Sequence, residues 1–486
     1  MAVDSIANAP LRASSGGRAR GALIAVSLAL FCIQVDFFAL NLALPDIGRT
    51  FHAGPSELQW SISAYMLSLG SLFIIAGRIG DIFGRRRVLL GGIAVFGLAS
   101  AACAMAPNLE FLVAFRVIQG TGAAVIFPVG IAALSNEFSD DARAAALGLA
   151  FGIANIGTAL GPFVGGGLSQ GPGWRWIFWL MVPLTVVSLI IAARTVRNSR
   201  DEAAPRRLDV AGAILIGCSV AALSITIDRA HAWGWGSAPT IAGFIVAAAS
   251  LTAFVLLERR IRFPLVRLTL FRNVPYVLVT WMGAVSNIGY AVIVFAETLY
   301  LQSVRGLSPL TAGIVFVGPS LLVALSGPVG ARLGKYFRPS AVMAGAGVLA
   351  GCGLMALTFA HGWPVYILVF AVTTFGFGIG WTFANVATQA AVRPERAGEA
   401  SGVMLTIIVT AGGVGVAAAA SAIGDLHVSG VPLHAAIEDV LRILAGIVIA
   451  AAGITLAVRH ELVRRGLTPP LSMKADWTPP EVGHGS

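Results

Sequence analysis

Fourteen apolar stretches, near 21–45, 57–77, 88–107, 109–134, 144–168, 174–196, 208–228, 238–257, 275–301, 309–331, 340–361, 364–391, 399–423 and 439–458, punctuate this chain. About 20 apolar residues wound as a helix cross the hydrocarbon of a bilayer. That layer offers no water to the backbone, so a crossing segment must be a helix or part of a closed barrel. Barrel strands read as alternating segments of about ten residues, and these stretches do not alternate. The expectation is an all-α membrane protein with 14 transmembrane helices. Composition agrees: 57% of the residues are hydrophobic, 12% are charged, and the mean hydropathy is +0.84. A soluble domain carries about twice that charge. The first stretch is too long for a signal-peptide core and contains Asp36, so it is read as retained.

A net charge of +10 would fit a nucleic-acid binder if the cations were clustered. Alternating the segments across a membrane sorts them instead. With both termini inside, 27 of the 33 Lys and Arg residues fall on the cytoplasmic side and five outside, and Arg116 lies within a span. Positive charge stays on the cytoplasmic side, so the basicity records topology and nucleic acid is excluded as a partner. Cys32, Cys103, Cys218 and Cys352 all lie inside spans without metal spacing, and no disulfide is expected.

The chain also repeats itself. Gly77-Arg78-Ile79-Gly80-Asp81-Ile82-Phe83-Gly84-Arg85-Arg86-Arg87 returns 250 residues later as Gly327-Pro328-Val329-Gly330-Ala331-Arg332-Leu333-Gly334-Lys335. Ala146-Leu147-Gly148 returns 254 residues later as Ala400-Ser401-Gly402. These offsets pair the second span with the tenth and leave the seventh and eighth outside the duplication. The expected organisation is a disordered tail over 1–20, a six-helix bundle over 21–197, linkers and an extra helix pair over 198–273, a second six-helix bundle over 274–459, and a cytoplasmic tail over 460–486. A site between duplicated bundles is a common plan of secondary transporters.

Six motifs in order now carry a resemblance: Val35 to Pro45 with its Asp36, Gln59-Trp60 with Tyr65, the Gly77–Arg87 loop, Arg116-Val117-Ile118-Gln119-Gly120, Gly161-Pro162-Phe163-Val164-Gly165-Gly166, and Trp174-Arg175-Trp176. Over roughly 20–460 the chain resembles the major facilitator superfamily, specifically its fourteen-helix drug:proton antiporters, which include multidrug and quaternary-ammonium efflux pumps. One departure is Phe38, where the family usually has threonine two residues after the membrane aspartate. The resemblance implies alternating access, a latch between the halves at the Gly77–Arg87 loop, and an antiporter motif on the fifth helix.

The residues support these implications on physical grounds. A carboxylate in hydrocarbon costs about 2.5–3.5 kcal/mol on insertion scales and persists where it faces a cavity or a partner. Asp36 is such a group, and taking up a proton removes its charge. Arg116 is the deep cation, and counting along the two helices puts it and Asp36 at similar depths, roughly 10–14 Å below the outer surface at about 1.5 Å per residue. The resemblance places their helices together, which makes the two the expected proton-coupling pair. In the gating loop, Gly77, Gly80 and Gly84 permit a tight turn, Asp81 can cap a helix N-terminus, and Arg85 and Arg86 anchor it inside. Gly152, Gly157, Gly161, Gly165 and Gly166, with Pro162, make a small-residue face for close helix packing. Phe37, Asn41, Trp60, Tyr65, Gln119, Trp281 and Glu297 are candidate cavity residues, the aromatic rings being suited to organic cations. Glu297, near the outer face, could attract cationic substrates or carry a second proton, and an interfacial role is favoured.

No phosphate-binding Gly-x-x-x-x-Gly-Lys loop, metal pair or nucleophile motif occurs in the sequence, so the protein is read as a transporter and not an enzyme, driven by protons without a cofactor. The expected function is proton-coupled efflux of amphipathic, often cationic, drugs or toxic compounds by a multi-pass monomer of the cytoplasmic membrane. Its partners would be the small-molecule substrate, protons and the lipid bilayer. The alternatives are a dedicated exporter of one endogenous metabolite or antibiotic, and a membrane sensor or lipid-handling protein without proton coupling.

Overall fold

The computed structural model describes residues 17–53, 55–199, 209–261, 264–360, 362–392 and 397–464. Within them run fourteen α-helices long and apolar enough to cross a membrane. They are α1 (Gly17–Phe51), α2 (Pro55–Phe83), α3 (Arg85–Ala104), α4 (Leu109–Ser135), α5 (Asp140–Gln170), α6 (Arg175–Thr195), α7 (Val210–Trp233), α8 (Ala238–Glu258), α9 (Val274–Leu299), α10 (Pro309–Tyr336), α11 (Pro339–Leu357), α12 (Trp363–Ala391), α13 (Ala397–Val428) and α14 (Leu433–Arg464). Helix starts carry the expected chemistry: Asn108, Ser237, Asn273 and Ser308 each accept a backbone N–H of the first turn. The outer helices are longer than their apolar stretches. Helix α1 begins at Gly17 and α14 ends at Arg464, so residues expected in the tails are helical there. The remainder of both tails lies outside the described residues.

The two halves are copies of one arrangement. In the first, α1 packs on α5 and α6, α2 on α4, and α3 on α4 and α6; in the second, α9 packs on α13 and α14, α10 on α12, and α11 on α12 and α14. Between the halves, α2 meets α13 and α5 meets α10. A two-fold exchange of the halves turns the first of these seams into the second. Three of the repeated glycines, Gly148, Gly327 and Gly402, lie at these crossings. A Cβ on Gly402 would come within 2.6 Å of the Phe73 carbonyl oxygen, and one on Gly327 within 3.0 Å of the Gly148 carbonyl carbon. Small residues let two backbones approach closely, and this is why the short echoes at 148 and 402 survive in the sequence.

The extra pair, α7 and α8, sits outside this symmetry. The two pack on each other, with Ser219 Oγ donating to the Ala247 carbonyl at 2.9 Å. Helix α7 then lies against α2 and α13, one from each half. Trp235, just beyond α7, donates its indole N–H to Ser421 Oγ of α13 at 3.0 Å, and Arg229 stacks over the Trp60 ring of α2 at 4.4 Å. Helix α8 is the most outward-facing of the set.

Candidate transport pathway

A cavity of about 940 Å³ lies between the halves. It runs from Phe73, Phe127, Asn155 and Trp381 at mid-bundle to Trp60, Gln302 and Ser303 at the end where α1 finishes. The opposite end, where α1 begins, carries the arginine clusters and is closed. There Asp81 Oδ2 of α2 accepts the backbone N–H of Glu399 of α13 at 3.1 Å, and Gly327 of α10 meets the backbone of Gly148 of α5. Phe37, Phe38, Trp60, Tyr65 and Pro162 all line the cavity. So do Ser224, Ile225 and Ile227 of α7, a helix whose place outside the repeat gave no reason to expect it on the pathway.

Asp36 is sealed beside this cavity and does not line it. Its Oδ2 pairs with Arg116 Nη1 at 2.5 Å, and its Oδ1 accepts from Gln119 Nε2 at 2.9 Å. Arg116 Nη1 also donates to Gln119 Oε1 at 2.7 Å, and its Nε donates to the Ser61 carbonyl at 2.9 Å. Gln119 Nε2 reaches Ser100 Oγ of α3 at 2.8 Å. Asp36, Arg116 and Gln119 are all 0% exposed. Four helices thus meet in one hydrogen-bonded cluster around this carboxylate. Tyr65 forms the partition: its ring covers the Arg116 guanidinium at 4.1 Å and faces the cavity on the other side. Among the described residues Arg116 Nη2 and Tyr65 Oη have no hydrogen-bond partner, so the partition is held by stacking more than by bonding.

Helix α5 holds α1 in place. Cβ atoms added at Gly157 and Gly161 would stand 2.7 Å from the Phe31 carbonyl oxygen and 2.5 Å from Phe38 Cβ, and one at Gly165 would stand 2.7 Å from Ala39 Cα. This four-residue row brackets Asp36. Gly152 and Gly166 point the other way, towards α10. The glycines therefore form two faces, one within the half and one between halves.

The Gly77–Arg87 segment ends α2 and starts α3. Gly77 is buried. Gly80 fits against Val129 of α4, where an added Cβ would stand 2.8 Å from a methyl. Gly84 has φ 100°, the left-handed region that favours glycine. Arg85 grips Asp81 Oδ1 through Nε at 3.0 Å and Nη2 at 2.8 Å, and Arg86 donates to the Ala193 carbonyl. Asp81 Oδ2 accepts the backbone N–H of Glu399 at 3.1 Å, in the first turn of α13. A carboxylate of one half thus caps a helix of the other, favoured by the helix dipole. A hydrogen bond to a charged group contributes about 1.5–3 kcal/mol. Asp81→Ala is expected to shift the population away from closure at this end at least about tenfold, and Asp81→Asn, which keeps an acceptor, to shift it less. A spin-label distance across the basic end checks this; an unchanged distribution for Asp81→Ala removes the latch role.

A model of the Major Facilitator Superfamily matches residues 26–416. The chain belongs to the major facilitator superfamily. Among curated proteins it is 36% identical to the multidrug resistance protein Stp of Mycobacterium tuberculosis over 388 residues, covering 79% of this chain and 72% of that one. It is 30% identical to the tetracenomycin C resistance and export protein of Streptomyces glaucescens, covering 84% and 78%, and 32% identical to the multidrug efflux pump LfrA of Mycolicibacterium smegmatis, covering 80% and 78%. The human organic anion transporter MFSD10 superposes with a TM-score of 0.66 at 14% identity, over 90% of this chain and all of that one, which shows a shared fold. The protein is a multi-pass transporter of this superfamily rather than an enzyme, and its relatives are multidrug and antibiotic efflux proteins.

Within this superfamily fold three candidate cavity residues fall elsewhere. Gln119 is walled into the Asp36 cluster, because Ser100 on α3 and the carboxylate satisfy its amide. Trp281 is 46% exposed and is not among the cavity-lining residues, since α9 turns that position outward. Glu297 is not in the cavity wall; it is 2% exposed, two residues before the end of α9, and accepts a hydrogen bond from Tyr366 Oη of α12. The side chain of Asn41 lies outside the described residues. Sequence reasoning missed Ser100, Glu399 and the three α7 residues; only Ser100, a hydroxyl on the third span, had a visible signal.

Proposed function

We propose that this protein is a proton-coupled antiporter that exports amphipathic, often cationic, compounds from the cytoplasm, working as a monomer in the cytoplasmic membrane. The observation that carries the reading is the sealed Asp36–Arg116–Gln119 cluster beside a mainly apolar cavity open at one end. The arginine-rich end is the cytoplasmic one by the positive-inside rule, so the cavity faces outward. A proton on Asp36 cancels its charge and loosens its hold on Arg116. The cation beside Tyr65 then repels an organic cation in the cavity, and substrate leaves. Loss of the proton restores the pair and the cavity's affinity. Protons supply the drive, and no bound cofactor takes part.

The names of the relatives support drug efflux as the class. The test is efflux into inverted vesicles of a panel of organic cations and neutral amphiphiles, with a pH probe inside. Each transported compound is expected to move protons the opposite way. Transport of a single compound from the panel would favour a dedicated exporter, and transport without proton movement would refute coupling.

A further inference from the structure

Glu297 is a second buried carboxyl group on a membrane-spanning helix, and the proposed cycle does not use it. It lies on α9 of the second half, 2% exposed, with Tyr366 Oη of α12 as its hydrogen-bond donor. The two repeat offsets put the counterpart of Asp36 between Ser286 and Tyr290, so Glu297 is not the symmetry copy of Asp36. It stands two to three turns nearer the open end, roughly 10–16 Å at 1.5 Å per residue.

Its surroundings differ from those of Asp36. Among the described residues no cation pairs with Glu297. The nearby charge is Arg305, whose guanidinium lies over the Tyr300 and Trp363 rings at 5.4 and 5.1 Å and whose Nε donates to Tyr300 Oη at 3.1 Å. Tyr300 in turn stacks on Tyr366, centroids 6.0 Å apart. Helices α13 and α14 bring no titratable side chain within hydrogen-bond reach of the carboxyl among the described residues. Directly after it, Tyr300–Val304 forms a π-helical turn, a distortion that appears frequently at functional sites. Val294, Thr298 and Leu299, the positions around Glu297 on the same helix, line the cavity. The carboxyl is therefore one helix face away from the pathway, three residues before a π-helical turn, with one neutral hydrogen-bond partner.

We infer that Glu297 is a second proton-binding site, placed in the second half near the mouth of the pathway and held by Tyr366. A membrane carboxyl is costly to keep and marks proton or ion traffic where it persists. Tyr366 can donate to it charged, and accept from it when protonated, so the pair can exchange a proton without losing its bond. No covalent step is involved: one proton binds from the open side and one is released when the cavity faces inward. This inference rests on the proton-coupled reading.

The experiment compares wild-type protein, Glu297→Gln, Asp36→Asn and Tyr366→Phe, reconstituted in liposomes. It measures the ratio of protons moved to ethidium moved, and the infrared carbonyl band of buried carboxyl groups during a pH titration without substrate. Glu297→Gln is expected to lower the ratio by one proton and to remove one of the buried carboxyl components, with export continuing at a weaker response to the pH gradient. Tyr366→Phe is expected to shift that same component. An unchanged ratio and unchanged band in Glu297→Gln overturn the second site. Retained proton movement in Asp36→Asn would instead sink the Asp36 reading, so the two failures are distinct. The infrared measurement keeps the site testable should either variant transport too slowly to count protons.

Discussion

Asp36→Asn is expected to reduce efflux driven by a pH gradient to the level of protein-free vesicles, while the protein still inserts. Asparagine keeps an acceptor for Gln119 but cannot carry a proton, and it leaves Arg116 without its counter-charge. Removing one member of a buried pair costs about 3–5 kcal/mol, so the variant should also melt earlier. The double change Asp36→Asn with Arg116→Gln removes both charges and is expected to recover part of that stability but none of the coupled transport. Melting temperature and proton flux, measured on both variants, separate a structural role from a coupling one. Substrate-dependent proton flux at the wild-type rate in Asp36→Asn would rule the coupling role out.

A nearly equal loss is expected from a single methyl group on α5. Gly165 has Ala39 Cα 2.7 Å from where its Cβ would stand, and Gly161 has Phe38 Cβ at 2.5 Å. The obstacle at Gly165 is backbone, which cannot swing aside. Gly165→Ala should push α1 outward, displace Asp36 from Arg116 and Gln119, and cost about 1–3 kcal/mol as overpacking does. Most efflux should be lost. Gly167→Ala is the control, since nothing lies within 4 Å of its added Cβ; it should transport like the wild type. Equal activity of the two variants in the same vesicle assay would show that the α1–α5 contact does not govern the site.

Much of this was legible in the sequence, for reasons that differ by residue. Lipid forces each crossing segment to be apolar and helical, so the fourteen spans could be counted. The glycines at 148, 327 and 402 sit where two backbones nearly touch, so the repeat survived at those positions and marked the seams. Asp36 and Arg116 were readable together because both are conspicuous in hydrocarbon and equal depth can be counted along a helix. Facing was not readable. Trp281 and Tyr65 look alike in a linear sequence, and only the rotation of α9 against α2 separates an outward ring from a cavity ring. Gln119 and Glu297 went astray because their partners, Ser100 and Tyr366, are on other helices. The reach of Asp81 to Glu399 spans 318 positions, although the capping role itself followed from its chemistry.

The α7–α8 hairpin has a mechanical consequence. It is fastened to a helix of each half, by Arg229 over Trp60 on one side and by Trp235 on Ser421 on the other. In the proposed cycle, a swing of one half against the other would load these two contacts. The two helices that stand outside the duplication would then tie the motion of one six-helix half to that of the other.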